Sequence, residues 1–435
     1  MRSSLPKVLH PILGQPMISY GLQAATEATG ERPLVVVGHQ ADEVCAVIGD
    51  WADWVVQSPQ LGTAHAVMQA KAYLKGKSEQ ALVMAADMPL LSAETLVNLI
   101  RAQQENPGPL TLLTLVSENS HGFGRIVRDD AGDVREIVEE AHATPDQLKI
   151  QELNAGVYCF KAEWLWKALD RVPLSPKGEY YLTDLVGIAV ADGLPVIAVR
   201  IDDASQALGV NNRVHLAEVE TFLRQRINQE WMLAGVTLVD PHTTYIEPTV
   251  EIGPDTIIWP NTILRGRTVV GNDCVLGPNT IVQDAQVGSH CKIFFSVVEG
   301  AVLEDQVDIG PFAHLRKGAH LARGVHMGNF GEVKNSYLGP GTKMGHFSYV
   351  GDATIGSDVN IGAGTITCNY DGVRKNPTII EDHVFIGSDT MLVAPVKIGE
   401  RGRTGAGAVV TKDIPPYSLA VGVPARVIRK LEKDA

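Results

Sequence analysis

At 435 residues the chain is too long for one hydrophobic core, so two or three domains are expected. A net charge of −13 excludes a broad nucleic-acid or anionic-membrane surface, because either partner needs a basic field; neither is expected here, while a small anion held by a few local cations stays open. Five scattered cysteines without a C-x-x-C pair fit reduced thiols, no apolar run approaches the roughly 20 residues of a membrane span, and the start lacks the apolar core of a signal peptide, so a cytoplasmic protein is expected.

The chain opens "MRSSLPKVLHPILGQPM". A lysine after Leu-Pro, followed by an apolar stretch, is similar to the trailing half of a phosphate-binding loop, which normally follows a buried strand and a glycine-rich turn. As far as about residue 210, the apolar runs "PLVVVGHQ", "QALVMAAD", "GPLTLLTLV" and "LPVIAVRI" alternate with helix-like "ETLVNLIRAQQ" and "EWLWKALDRV". Continuous apolar strands separated by helices predict a doubly wound α/β domain with a mostly parallel sheet over residues 1–212. "LVMAADMPLL" delivers Asp87 just after a strand, where open α/β sheets collect ligands, although an aspartate near Pro89 is also a common turn former.

Residues 213–235 read as a connecting helix, with Val214, Ala217, Leu223, Ile227 and Trp231 on an apolar stripe and Gly235 as its stop. Residues 236–435 form a third region governed by an internal repeat. Ile252, Ile258, Leu264, Val270, Leu276 and Val282 fall every six residues. A second register runs through Val297, Leu303, Ile309, Leu315, Leu321, Met327 and Val333, and a third carries Ile380, Ile386, Leu392, Ile398 and Val410. A sustained six-residue repeat predicts a parallel β-helix, each hexad forming one side of a triangular coil and pointing one aliphatic residue inward. Slips of register near 283–297 and 362–380 predict loops leaving the coil, the longest in "GAGTITCNYDGVRKNPTI".

"LPKVLHPILGQPM", "QLGTAHAV", "GFGRIVRD", "IQELNAGVYCF", "KGEYYLTDLV" and "GVNNR" occur in the order seen in bacterial sugar-1-phosphate nucleotidyltransferases. With "IGPFAHLRKGA", "GNFGEVKNSYLG", "GTKMGHFSYVGDA", "NIGAGTITCNYDG" and "FIGSDTMLVAPV", the chain resembles the bifunctional N-acetylglucosamine-1-phosphate uridyltransferase and glucosamine-1-phosphate acetyltransferase family of bacteria over nearly its whole length. The resemblance implies a left-handed β-helix that acetylates glucosamine-1-phosphate from acetyl-CoA. It implies an N-terminal domain that couples N-acetylglucosamine-1-phosphate to UTP with Mg²⁺, releasing pyrophosphate and making the precursor of peptidoglycan and lipopolysaccharide. It further implies a homotrimer.

Residue by residue, the resemblance makes His346 of "KMGHFSYVG" the general base that takes a proton from the attacking amine, a task for which histidine's ordinary pKa is suited. Arg316 and Lys334 match contacts to the phosphate and sugar, and Tyr349 and Asn360 match further sugar contacts. Ala363, Asn369, Tyr370, Ser388 and Ala406 match contacts to acetyl-CoA or the acceptor, where backbone N–H groups could stabilise a developing oxyanion. Several relatives carry arginine before a Val-Pro pair; in "VGVPARV" the pair is Val423-Pro424 and Gly422 precedes it, leaving Arg426 as a nearby alternative for the CoA phosphates. In the first domain, Asp87 and Asn211 match the Mg²⁺ ligands and Lys7 the cation on the phosphates. Gln57, Gly62 and Thr63 match the uracil-recognition loop, and Gly124, Glu139 and Asn154 match sugar and ribose contacts. Ala86 departs from the glycine that relatives place before the metal aspartate.

Relatives begin with a strand and turn of the type Leu-Ala-Ala-Gly-x-Gly-Thr-Arg-Met, and Met1 falls at that methionine. The expectation is therefore a natural start upstream of Met1, or else a truncated chain with an impaired first domain. Two further functions compete with the two-activity enzyme: an acetyltransferase alone, and a non-catalytic hexapeptide assembly module. A zinc site on His314, His320 and His326 is disfavoured, because a spacing of six puts them on three different sides of the triangle.

Overall fold

The computed structural model describes residues 1–118 and 122–432. It divides into two compact units, Met1–Leu223 and Arg224–Ala435. No helix among the described residues is long and apolar enough to cross a membrane.

In the first unit, α1 (Met17–Thr29), β1 (Leu34–Val37), α2 (Ala41–Ile48), β2 (Asp53–Val56), α3 (Thr63–Leu74), β3 (Gln80–Val83), α4 (Ala93–Glu105) and β4 (Leu110–Val116) follow the expected alternation. β5 (Arg125–Arg128), β6 (Val134–Val138), β7 (Glu152–Lys161), α5 (Ala162–Ala168), α6 (Asp184–Ala191) and β8 (Val196–Arg200) complete it. The four apolar runs become β1, β3, β4 and β8. β1 pairs with β2 and β4 with β8 in parallel. The larger sheet, ordered β8-β4-β7-β5-β6, is nevertheless mixed, because β7 runs antiparallel to β3, β4 and β5. β7 is "ELNAGVYCFK", and Leu153, Ala155, Val157, Tyr158, Cys159 and Phe160 are all buried. Burial on both faces writes a continuous apolar run whatever the strand's direction, so the run marks the strand and leaves its polarity unspecified. Helix α4 starts where the Ser92 hydroxyl accepts the Thr95 N–H, and it buries Leu96 and Leu99.

Helix α7 covers Arg213–Leu233, and the boundary between the two units falls within it. Its buried apolar positions include Val219 and Leu223, while Val214 and Ala217 of the expected stripe face solvent. Gly235, at φ 95°, lies just past its end, and the Val236 N–H returns to the Trp231 carbonyl.

In the second unit, short parallel strands stack into three ladders of twelve, ten and nine strands, the three walls of a left-handed parallel β-helix; the last strand, Arg426–Lys430, closes the twelve-stranded wall antiparallel. One aliphatic side chain per side enters the core, from Ile246 through Leu264, Leu315 and Leu392 to Val410, each worth about 1.5–3 kcal/mol relative to exposure. Corner threonines such as Thr262, Thr268 and Thr390 are buried, but each hydroxyl donates to a nearby carbonyl, so the corners carry no unpaired polar cost there. Cys274 and Cys291 are buried in this core, and all five cysteines are free thiols.

Two details of the repeat differ from expectation. Val298 rather than Val297 points inward, and no loop leaves the coil at 283–297. Instead the sides Val282 to Val287, Ile293 to Val298 and Val298 to Leu303 are five residues long, and the ladder pairs Val282 with Val298 and Val287 with Leu303 without interruption. A five-residue side keeps the inward residue in line with the coil below while moving the sequence period, which imitates an insertion. Near 362–380 a segment does leave the coil: Asn369–Asn376 closes as a loop through the Asn376 N–H to the Asn369 carbonyl.

Candidate active sites

In the first unit, three groups of expected residues gather around β3 and β7. At the carboxyl end of β3, the Lys7 ammonium forms an ion pair with Asp87 and donates to Asn211 Oδ1 at 3.0 Å. The Val210 N–H donates to the Asp87 carbonyl, which fastens the "GVNN" segment to the aspartate turn. Asp87 and Asn211 thus aim two hard oxygen donors at one cation position, a donor set suited to Mg²⁺ completed by waters and phosphate oxygens. Ala86 in this turn is exposed.

The second group is the "QSPQLGT" turn. Gln57 is buried, and its amide donates to the Gly62 carbonyl and lies 3.0 Å from His65 Nδ1. Gly62 has φ 95°, and a Cβ there would fall 2.6 Å from the Tyr180 carbonyl oxygen, so glycine is required twice over. Thr63 opens α3, and its hydroxyl accepts the Leu182 N–H. Backbone bonds from Tyr180 to Leu61 and from Ala64 to Tyr180 complete the clasp.

The third group lies on β7 and the strands beside it. The Asn154 N–H donates to the Gly124 carbonyl, and its side chain donates to the Tyr158 hydroxyl at 2.7 Å. A Cβ on Gly124 would come 2.8 Å from Ile137, so this crossing is also reserved for glycine. Glu139 accepts the Thr183 hydroxyl. Burial, then the Glu139 charge, raises the Asp184 carboxyl, and burial raises the Tyr158 phenol. Tyr158 and Thr183 sit in motifs quoted above, yet sequence reasoning did not single them out; each reads as an ordinary core or cap residue until the fold brings it to Asn154 or Glu139.

In the second unit, Arg316, Lys334 and Tyr349 project from one wall, the ten-stranded ladder. Arg316 bonds Glu332 at 2.9 Å, which raises its pKa, and Glu332 is in register with Tyr349 on the next coil. The Tyr349 hydroxyl lies over Gly351, where a Cβ would come within 2.3 Å of it. The Asn369–Asn376 loop returns over this wall: Asn369 donates to Asp352 at 2.6 Å, and Lys375 lies 3.8 Å from the same carboxylate. Lys375, a residue the sequence reading missed, holds the Lys334 pKa below its ordinary value, with Arg316 adding to the effect. The loop is pinned by Asp371, whose carboxylate accepts the Arg374 N–H, the Asn376 amide and the Val373 N–H and is held at about 2. Tyr370 is exposed, its hydroxyl donating to the Gly372 carbonyl.

His346 occupies an exposed corner, and among the described residues it has no hydrogen-bond partner. Ala363, Ser388 and Ala406 follow it at the same corner on successive coils, each preceded by a glycine so close to the coil above that a Cβ on Gly362 or Gly387 would strike backbone. Asn360 does not join the Arg316 wall. It lies in the twelve-stranded ladder between Lys343 and Phe385. His314, His320 and His326 stand on three different walls, each 2.9–3.4 Å from a carboxylate of the preceding coil: Glu299, Glu304 and Asp308.

An α/β unit with a cation-centred turn at a strand's carboxyl end, followed by a parallel β-helix with a basic wall beside a corner histidine, defines a nucleotidyltransferase fold joined to a hexapeptide transferase. The Nucleotidyl transferase family matches residues 2–232, and the Bacterial transferase hexapeptide (six repeats) family matches 377–412. The chain is 47% identical over 422 residues to the Bifunctional protein GlmU of Heliobacterium modesticaldum, covering 97% of this chain and 92% of that protein. It is 44% identical over 431 residues to that of Streptococcus equi subsp. zooepidemicus, covering 99% and 94%, and 46% identical over 431 residues to that of Fervidobacterium nodosum, covering 99% and 93%. The chain belongs to the bifunctional GlmU family.

Proposed function

We propose that the β-helix acetylates glucosamine-1-phosphate from acetyl-CoA, and that the α/β unit then joins N-acetylglucosamine-1-phosphate to the uridylyl group of UTP. The observation that carries this reading is the pairing of two chemically different sites in one family member: a Lys7–Asp87–Asn211 cation cluster and a basic wall beside His346.

In acetyl transfer, His346 removes a proton from the amine as its nitrogen attacks the thioester carbonyl and the CoA thiolate leaves. Arg316, Lys334 and Lys375 offset the sugar phosphate, with Tyr349 and Asn369 beside them. Ala363, Ser388 and Ala406 leave the corner open for the pantetheine arm. Asn360 lies on another wall of the same coil region, which favours a site completed by a second copy, so we include a homotrimer in the proposal.

In uridylyl transfer, a phosphate oxygen of the sugar attacks the α-phosphorus in line and pyrophosphate leaves. Asp87 and Asn211 would hold Mg²⁺, which when bound offsets the negative charge of the triphosphate. Lys7 turns from Asp87 toward the phosphates, Gln57, Gly62 and Thr63 frame the uracil, and Gly124, Glu139 and Asn154 receive the sugar and ribose. Both substrates and both products are those of cytoplasmic nucleotide-sugar metabolism, where we place the enzyme.

The test is to assay the 435-residue chain for pyrophosphate release from UTP and N-acetylglucosamine-1-phosphate with Mg²⁺, and in parallel for acetyl transfer from acetyl-CoA to glucosamine-1-phosphate. Both activities are expected. Acetyl transfer alone would reduce the first unit to a scaffold, and neither activity in a folded protein would favour an assembly module.

A further inference from the structure

Arg125 of the "GFGRIVRD" motif lies outside both sets of substrate contacts, yet its side chain is buried, 3% exposed. It pairs with Val138 on β6 and with Leu153 on β7. The next row of the same antiparallel ladder therefore aligns Gly124, Glu139 and Asn154, the residues proposed to receive the sugar and ribose. The Asn154 N–H closes that row on the Gly124 carbonyl at 2.9 Å. Glu139 and Glu140 line a cleft of about 420 Å³ together with Gly122, Lys177 and Tyr181.

The Arg125 guanidinium grips the neighbours of two members of that row. Its Nη1 donates to the Phe123 carbonyl, and Nη1 and Nη2 both donate to Glu140 Oε2 at 3.1 Å. Phe123 precedes Gly124 and Glu140 follows Glu139, so a single side chain ties both segments to one point. Two further bonds hold Glu139: its Oε1 accepts the Thr183 hydroxyl at 3.1 Å, and its carbonyl accepts the His142 N–H at 2.9 Å. Arg125 Nε is buried without a partner among the described residues, so the charge is compensated through the terminal nitrogens alone. A charge held this way costs more to desolvate than an apolar side chain of similar size, which would join the strands as well. What the guanidinium adds is direction: its rigid fork fixes how the Phe123 and Glu140 segments meet, which apolar packing leaves looser.

Resting on the uridylyl-transfer reading above, we infer that Arg125 is a positioning residue for that reaction: with Glu140 it holds Gly124 and Glu139 at the spacing that receives the sugar of N-acetylglucosamine-1-phosphate, without touching substrate itself. The test uses the full chain and measures pyrophosphate release while each substrate is varied in turn, with acetyl transfer and thermal melting as folding controls. Glu140, whose side chain is 41% exposed, tolerates replacement more readily than the buried arginine. Glu140→Gln keeps the shape and removes the charge, and should raise the KM for N-acetylglucosamine-1-phosphate about fivefold. Arg125→Met should raise it about 20-fold and Arg125→Lys by an intermediate factor, since an ammonium keeps the charge but cannot span the carbonyl and the carboxylate together. Adding Glu140→Gln to Arg125→Met should change little further, because the tie is already cut. In every variant the KM for UTP and the rate of acetyl transfer should stay within about twofold of the unsubstituted protein. Lower melting temperatures with an unchanged KM for the sugar phosphate would make the pair a structural tie only, and equal rises in both KM values would separate it from the sugar; either result overturns the inference. A folded, unsubstituted protein that releases no pyrophosphate would overturn the uridylyl-transfer reading, and this inference with it.

Discussion

The two units build their sites by opposite means. In the α/β unit, residues from distant parts of the sequence are clasped by specific bonds: Lys7 to Asp87 and Asn211, Thr63 to Leu182, Glu139 to Thr183. In the β-helix, ladder register assigns each side chain a wall and a coil, and few side-chain bonds are needed to hold Arg316, Lys334 and Tyr349 on one face. A clasped site depends on its turns keeping their shape. A ladder site depends on the core column that holds the coils in register.

The sharpest break between the two comes from the chemistry. His346→Ala should slow acetyl transfer by about 10³-fold while uridylyl transfer continues, and Asp87→Asn should do the reverse by about 10²–10³-fold. Parallel assays of both reactions on each variant check the separation; a joint loss would mean the units do not act independently.

Next in size are the supports. Leu392→Ala, in the fully buried column, should cost about 2–5 kcal/mol and lower the denaturant midpoint of the β-helix transition before that of the α/β unit. Gly62→Ala should cost about 1–3 kcal/mol, from its left-handed backbone and the approach of Tyr180, and should raise the KM for UTP with acetyl transfer unchanged. Denaturant unfolding together with both assays reads these two variants against each other.

The smallest effect concerns pH. Because Lys375 depresses the Lys334 pKa, the Lys334 cation is present at low pH and is lost as pH rises through a value below that of an ordinary lysine. The KM for glucosamine-1-phosphate should therefore begin to climb at a pH below that at which an ordinary lysine titrates, and Lys375→Ala should move that climb to higher pH while raising the KM a fewfold at lower pH. A climb unmoved by the variant would separate Lys334 from the phosphate.

The hexapeptide half was legible almost coil by coil, because a six-residue period and an inward aliphatic residue are both local properties. The differences there are local too: the inward residue is Val298, one past the expected Val297, and five-residue sides imitate a loop at 283–297. In the α/β half the strands were legible, but the antiparallel course of β7 was not, since burial on both faces carries no direction. Lys375 and Thr183 gain their importance from partners far away in sequence, Lys334 and Glu139, while Tyr158 meets Asn154 on the same strand only where the pairing of β7 with β4 loses its regular register.

What the sequence by itself determined is therefore the order of the elements, the inward column of the β-helix and the motifs that carry Asp87 and His346. Periodicity and strand-end position are written in neighbouring residues. The tertiary structure alone decided that Lys7 stands between Asp87 and Asn211, that a loop pinned by Asp371 sets Lys375 beside Lys334, and that Asn360 faces from a different wall than Arg316. Those facts depend on register and on chain segments meeting through space, and no local pattern encodes them.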